Sequence, residues 1–297
     1  MRILAATTTA QSASNACAAI APFYWEYGDR DQGLANGSVD KAGSASVTAD
    51  SSMEIASASK WIYGAYVAER RAGALTAEDI QYLNFRSGYT NFPVNGCAGT
   101  DTVAACEAAG DNGVQNLAHV GKFYYGGGHM QKHASLASPG MNLGAKGNAA
   151  LMAEVNGALG TTFAYSRPQL AGGVFTSAKG YAVFLRKLLG NQLKMSALLG
   201  SNPVCTNPAT CADALYTPVP GHDFHYSLGH WVEDDPVSGD GAFSSPGAFG
   251  FYPWVDADKA HYGVIARFEV QAGGGEGFSS AQCGQLIRKA WATGTAQ

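Results

Sequence analysis

The chain has 297 residues, a net charge of -4 and a pI near 5.9, with 46% hydrophobic and only 14% charged residues. That is enough apolar material for a sizeable core. The balance carries no basic footprint for nucleic acid, and no apolar run is long enough to span a bilayer.

Six cysteines punctuate the chain. Cys97 and Cys106 bracket a Gly/Thr/Ala loop, and Cys205 and Cys211 bracket Thr206-Asn207-Pro208-Ala209-Thr210, so each pair reads as a local staple. Cys17 and Cys283 remain as a third pair joining the chain ends. Free thiols are the alternative. No Cys-x-x-Cys metal spacing occurs. Disulfides imply an exported protein. The opening Met1-Arg2-Ile3-Leu4-Ala5-Ala6 is too short for a complete export signal. The expectation is a secreted or periplasmic protein whose native signal has been replaced by an initiator Met.

In chain order, residues 11–21 are Ala/Ser-rich and predicted helical, ending at Pro22. Phe23-Tyr24-Trp25-Glu26-Tyr27 and Leu34 to Val39 flank a turn and predict a hairpin. A helix is predicted to carry Ser57 to Lys60 and to continue through Trp61, Ile62, Ala65, Tyr66 and Val67, closed by Glu69-Arg70-Arg71 and Gly73. Residues 74–120 are loop-rich with short helices. One is capped by Thr76-Ala77-Glu78-Asp79, and another runs from Val114 to Val120. Helices follow at 149–158 and at Ser177 to Leu189, the second stopped by Gly190. Residues 201–224 read as a loop. Strands are predicted for His225 to Val232, Phe249 to Val255 and Ala260 to Glu269, then a Gly273-Gly274-Gly275 loop and a closing helix at 281–292. The order gives an α+β protein. Residues 1–50 and 225–297 form an α/β subdomain with an antiparallel sheet, residues 51–224 a mostly helical insertion, and the active site lies at their interface.

The chemistry centres on Ser57-Ala58-Ser59-Lys60. A serine hydroxyl needs a neighbouring base to act as a nucleophile, and a lysine serves once its pKa is lowered. Three residues apart on a helix, the two side chains share a face. A second copy, Ser38-Val39-Asp40-Lys41, lies between Asn36-Gly37 and Ala42-Gly43-Ser44, turn signals that hold no helix. A tyrosine in Phe123-Tyr124-Tyr125-Gly126-Gly127-Gly128-His129 can relay a proton. Backbone donors can come from Phe243-Ser244-Ser245-Pro246-Gly247-Ala248-Phe249-Gly250.

In order and spacing these anchors resemble the serine β-lactamase-like superfamily of penicillin-binding proteins, class C β-lactamases and related esterases and amidases. They are joined by Ser87-Gly88, Leu170 to Ser177, Tyr226-Ser227-Leu228-Gly229 and Trp254-Val255-Asp256. The resemblance implies a β-lactamase/transpeptidase-like fold. It implies Ser57 as the acylated nucleophile, Lys60 as base and Tyr125 as proton relay. The oxyanion hole would be the N–H groups of Ser57 and Ala248, with Tyr124, Ser245 and Gly247 lining the substrate and no cofactor or metal. Two departures shape the substrate. Gly127 stands where the family has Asn, and Ser245-Pro246-Gly247 stands where it has Lys-Thr-Gly. A substrate carboxylate would lose a charge-assisted contact worth about 1.5–3 kcal/mol. The expectation is an esterase on uncharged esters, or on amides, of small or polymeric substrates. The alternatives are a β-lactamase or D-alanyl-D-alanine peptidase, and a sensor module with the same fold.

Two other hydrolase chemistries are weaker. His129 and His133 have a zinc-helix spacing but lack the Glu of His-Glu-x-x-His, and His222, His225 and His230 cluster downstream. No Gly-x-Ser-x-Gly elbow supports a Ser-His-Asp hydrolase.

Overall fold

The computed structural model describes residues 1–93, 96–270 and 275–297. The predicted loop at Gly273 and Gly274 lies outside the described residues. The chain divides into two compact units. Unit 1 comprises Met1–Ala58, Thr176–Gln192 and Ser244–Gln297, and unit 2 comprises Ser59–Phe175 and Leu193–Phe243. These segments differ from boundaries at 50 and 224: the 178–189 helix falls in unit 1 and residues 225–243 in unit 2.

In unit 1, the Phe23–Asp29 strand pairs antiparallel with Gly33–Val39 on one side and His261–Ala266 on the other. Tyr252–Val255 then pairs with His261–Ala266. Side chains alternate across such a sheet. Phe23, Trp25 and Tyr27 join Trp254, Ile265, Ile287 and Trp291 in one buried cluster with Ala6 and Ala10. The helices Arg2–Ala10 and Glu276–Thr293 therefore cover this face, and the Cys17–Cys283 disulfide ties it. On the other face Tyr24 donates to Glu26 at 3.1 Å, and the Tyr262 hydroxyl hydrogen-bonds Glu26 and accepts from Arg186 of the Ala178–Leu189 helix at 2.8 Å. That helix starts where Ser177 accepts the Gly180 N–H, and it buries Tyr181, Phe184, Leu185 and Leu188.

Unit 2 carries the helices Ser59–Arg70, Ala77–Leu83, Val103–Glu107, Gly128–Ser135 and Asn148–Leu159. Phe123–Tyr124 runs parallel to Ala214–Tyr216, and the Tyr125 N–H continues the ladder to the Tyr216 carbonyl at 3.0 Å. The Cys97–Cys106 and Cys205–Cys211 bridges form as read from the sequence. Among the described residues no helix is long and apolar enough to cross a membrane.

The Thr76–Asp79 capping box is present in full and feeds a buried network. Asp79 accepts two bonds from Arg71, at 2.8 and 2.9 Å, and faces His133 Nε2 at 3.0 Å. Burial alone would raise the Asp79 carboxyl, but the bonds from His133, Arg71 and Thr76 outweigh it and hold the carboxyl well below its ordinary range. The group thus titrates lower folded than unfolded. Its stabilisation is complete above about pH 4 and fades as the pH falls below that. We expect Asp79→Asn to lower stability by about 3 kcal/mol at pH 7 and to flatten the acid limb in urea titrations from pH 7 to 3. An unchanged acid limb would remove Asp79 as its source.

Several elements differ from expectation, each for a local reason. The helix expected at 11–21 ends upstream at Ala10, because Ser12 and Asn15 side chains accept the N–H groups of Ser14 and Cys17 and turn the chain. Only Ala18–Ile20 is helical there, as a 3-10 turn. The strand expected at 225–232 is a hairpin, with His225–Ser227 against His230–Val232. Leu228 and Gly229 make its turn at φ 46° and 96°. Val114 to Val120 keeps only the Leu117–His119 turn, and 201–224 holds the short strands Val204–Cys205 and Ala214–Tyr216. Phe249–Phe251 belongs to a tight turn before the Tyr252–Val255 strand, closed by Gly250 N–H to the Gly247 carbonyl.

Candidate active site

Ser57 sits in unit 1, in a 3-10 turn spanning Ala56–Ala58, and the α-helix starts just after it at Ser59. The expected helix thus opens as a 3-10 turn around Ser57 and becomes an α-helix at Ser59. Ala56, immediately before Ser57, has φ 44°, a left-handed conformation that is costly for a residue with a Cβ. Three anchors hold the turn. The Ala58 N–H bonds the Ile55 carbonyl at 3.1 Å, Tyr181 donates to the Ala58 carbonyl at 2.9 Å, and Ser245 Oγ donates to the Ser57 carbonyl at 3.0 Å. The Ser245 hydroxyl is therefore engaged in fixing the Ser57 turn.

Gly247 lies against the same turn. A Cβ there would fall 2.1 Å from the Ile55 carbonyl oxygen, so only glycine allows the approach. Its N–H bonds the Phe251 carbonyl at 2.7 Å and closes the hairpin tip. Behind it, a Cβ on Gly277 would fall 2.5 Å from the Gly247 carbonyl oxygen. The last helix thus backs the tip directly. Ala248, next along, is half-buried, and among the described residues its N–H goes to no backbone carbonyl.

The sequence left one cation of this region unnoticed. Arg267 is buried and packs its side chain against Gly250, where a Cβ would meet its Cγ at 2.6 Å. It is already matched: its guanidinium reaches the Glu276 carboxylate at 2.7 Å. No periodicity flags this pair, because Arg267 follows a strand and Glu276 opens a helix.

In unit 2, Lys60 is 5% exposed. Its Nζ donates to the Ala171 carbonyl at 2.9 Å and lies 4.9 Å from the centre of the Tyr125 ring. Burial penalises the ammonium form and lowers its pKa from 10.5 to about 7. The loop carrying Ala171 is fixed by Gln131, which accepts the Leu170 N–H at 3.2 Å and donates to the Pro168 carbonyl at 2.9 Å. Ser59 Oγ accepts the Val174 N–H at 3.2 Å. The sequence marks Leu170 to Ser177 as an anchor but does not reveal that its carbonyl orients the lysine.

Tyr125 stacks on Trp231 at 5.4 Å and meets Phe85 and Tyr226 edge-on. Its neighbour Tyr124 stacks instead on His119 and packs against Tyr216, away from this box. His129 fixes the loop. Nε2–H donates to the Tyr124 carbonyl at 3.0 Å, and Nδ1 accepts from Ser87 Oγ at 2.8 Å. Burial depresses its pKa to about 3, so the ring is neutral. That explains the Ser87 anchor and gives His129 a positioning role that its metal-like spacing had obscured. His133 is likewise occupied by Tyr63 and Asp79. Downstream, His222 bonds Ser238, His225 bonds Asp234, and His230 accepts the Gly200 N–H.

No protein-family model matches the chain, and no curated protein matches it either. Solved structures do. A β-lactamase-like protein from Bacteroides dorei aligns at TM-score 0.64 and 18% identity over 90% of this chain and 93% of that one. A D-stereospecific amidohydrolase from Streptomyces aligns at 0.61 and 14% over 99% of each. Simvastatin synthase from Aspergillus terreus aligns at 0.59 and 12% over 97% and 99%. The class is thus a mixed fold of antiparallel sheets and helices. More narrowly, the chain has a β-lactamase/transpeptidase-like fold.

Proposed function

We propose that the chain is an exported serine hydrolase that works through an acyl-enzyme on Ser57, and that it is an esterase on uncharged carboxylic esters. One observation carries the hydrolase reading: Lys60, three residues after the serine, is held by burial near neutrality with its amine fixed on the Ala171 carbonyl. A half-neutral lysine is a base at working pH. In this reading Lys60 takes the Ser57 proton as Oγ attacks the ester carbonyl, and the developing oxyanion is held by the N–H groups of Ser57 and Ala248. The proton passes by way of Tyr125 to the departing alcohol. Water then attacks the acyl-enzyme, losing its proton to the same Lys60–Tyr125 pair, and Ser57 leaves with a proton. Amides would follow the same path with a poorer leaving group. The amidohydrolase and synthase neighbours are compatible with acyl transfer on this fold. The three disulfides support export.

Preference for uncharged substrates rests on the hairpin tip. Ser245 is spent on the Ser57 carbonyl, Pro246 has no donor, and the nearby Arg267 is matched by Glu276. The test is turnover of p-nitrophenyl acetate and of nitrocefin side by side, with and without a chelator. Many turnovers per chain are expected on the ester. For the carboxylate-bearing lactam, kcat/KM is expected to be about ten- to a hundredfold lower than in a lactamase with its clamp intact. The ester activity should survive the chelator and be lost in Ser57→Ala. Full activity in Ser57→Ala overturns the assignment, and nitrocefin turned over faster than the ester overturns the substrate class.

A further inference from the structure

Directly after the Ala248 N–H, the chain places an aromatic pair in unit 1. Phe249 and Phe268 meet edge to face with ring centres 5.3 Å apart. Phe268 is 49% exposed and Phe249 half-buried, so the pair presents open apolar surface rather than a filled core. The Glu269 N–H donates to the Phe249 carbonyl at 2.9 Å and fixes the register of the two segments. The rings are therefore held on the hairpin tip whose Gly247 touches the Ser57 turn. The neighbouring Arg267, which packs against Gly250, is paired with Glu276.

We propose that the Phe249–Phe268 pair is the binding surface for an apolar acyl chain, so that the preferred substrates are esters of medium-chain or aryl carboxylic acids. This rests on the acyl-enzyme reading above. A carbonyl oxygen on the Ala248 N–H puts the substituent of that carbonyl within one residue of Phe249. An alkyl chain extending there leaves water against two aromatic faces, whereas a carboxylate there would meet an Arg267 already paired with Glu276. The rings follow Ser245-Pro246-Gly247, which offers no side-chain charge, so apolar burial would stand in for charge recognition there.

The experiment is a p-nitrophenyl ester series from acetate to octanoate, with kcat/KM measured for the native chain, Phe268→Ala, Phe249→Ala and Phe268→Leu. The native chain is expected to prefer octanoate. In Phe268→Ala and Phe249→Ala the octanoate-to-acetate ratio should fall about tenfold, the worth of roughly two methylene groups returned to water. Phe268→Leu should restore most of it. A native profile flat in chain length, or a ratio unmoved by both alanine changes, overturns this proposal and leaves the esterase reading standing. Calorimetry of Ser57→Ala with methyl octanoate and methyl acetate separates the two ideas. Should no ester turn over, the proposed function fails. Tighter octanoate binding lost on adding Phe268→Ala still supports the apolar site, and equal binding of both esters overturns it.

Discussion

Replacing Lys60 by Met should lower ester turnover by about 10²–10⁴-fold, the usual worth of a positioned base, and at the same time make the fold more stable. The two effects come from one cause. Lys60 is buried among apolar groups, and its ammonium form is penalised enough to bring the pKa to about 7 from 10.5. The unfolded chain therefore holds a proton on this lysine between those two values that the folded chain releases. Stability contributed by this group is lowest below pH 7 and rises towards pH 10.5. At pH 7 the penalty is about 4 kcal/mol by linkage. The methionine removes it but leaves the Ala171 carbonyl without its donor, which costs about 1–3 kcal/mol. The net is positive, so Tm should rise by a few degrees at pH 7 and by less as the pH approaches 10. The rate profile follows the same group. With neutral Lys60 as the base, kcat/KM should climb with pH and level off above about 7. A profile flat from pH 5 to 9, or a Lys60→Met chain that is both active and no more stable, would remove Lys60 as the base.

The same lysine shows how far the residues alone could be read. Spacing and helix signals set Ser57-x-x-Lys60 apart from the copy at Ser38, and the structure does place Lys60 in a helix and Ser38 in a strand. That copy's Ser38 lies in the Gly33–Val39 strand, with its hydroxyl on the Val47 carbonyl. The three disulfides were legible because each loop or chain end left one partner nearby. What was not legible depends on atoms brought together from distant segments. The carbonyl that orients Lys60 belongs to Ala171, and a backbone group carries no residue signature. His129 looked like half of a zinc pair because its spacing is visible and its partners, Ser87 and the Tyr124 carbonyl, are not. Strand ends were misread where a turn interrupts an apolar run, at Leu228-Gly229 and at Gly247–Gly250, because burial hides the usual polar turn signal. The 3-10 turn that opens the helix before Ser59 is also hard to foresee. It rests on the strained φ of Ala56, which no propensity announces.

Gly247→Ala should lower turnover by 10²-fold or more while costing only about 1–3 kcal/mol of stability. The added methyl has nowhere to go. Its position lies 2.1 Å from the Ile55 carbonyl oxygen, 3.1 Å from the Ile55 carbonyl carbon and 3.3 Å from the Phe251 carbonyl oxygen. All three are backbone atoms, so no side chain can swing aside. Retreat is blocked as well, since Gly277 of the last helix presses on the Gly247 carbonyl from behind. Either the hairpin tip shifts away from the Ser57 turn or the turn shifts away from the tip. In both cases the Ala248 N–H, the proposed oxyanion donor, moves relative to Ser57. Loss of such a donor alone is worth about 10²–10³ in kcat. The loss should fall on kcat more than on KM, because the donor strengthens its bond as the oxyanion forms. Gly157→Ala is the control. It lies within the Asn148–Leu159 helix with nothing within 4 Å of the added methyl, so it should gain about 0.5–1 kcal/mol and keep full activity. A Gly247→Ala chain as active as Gly157→Ala would mean that the tip does not hold the oxyanion, and the donor at Ala248 would have to be abandoned.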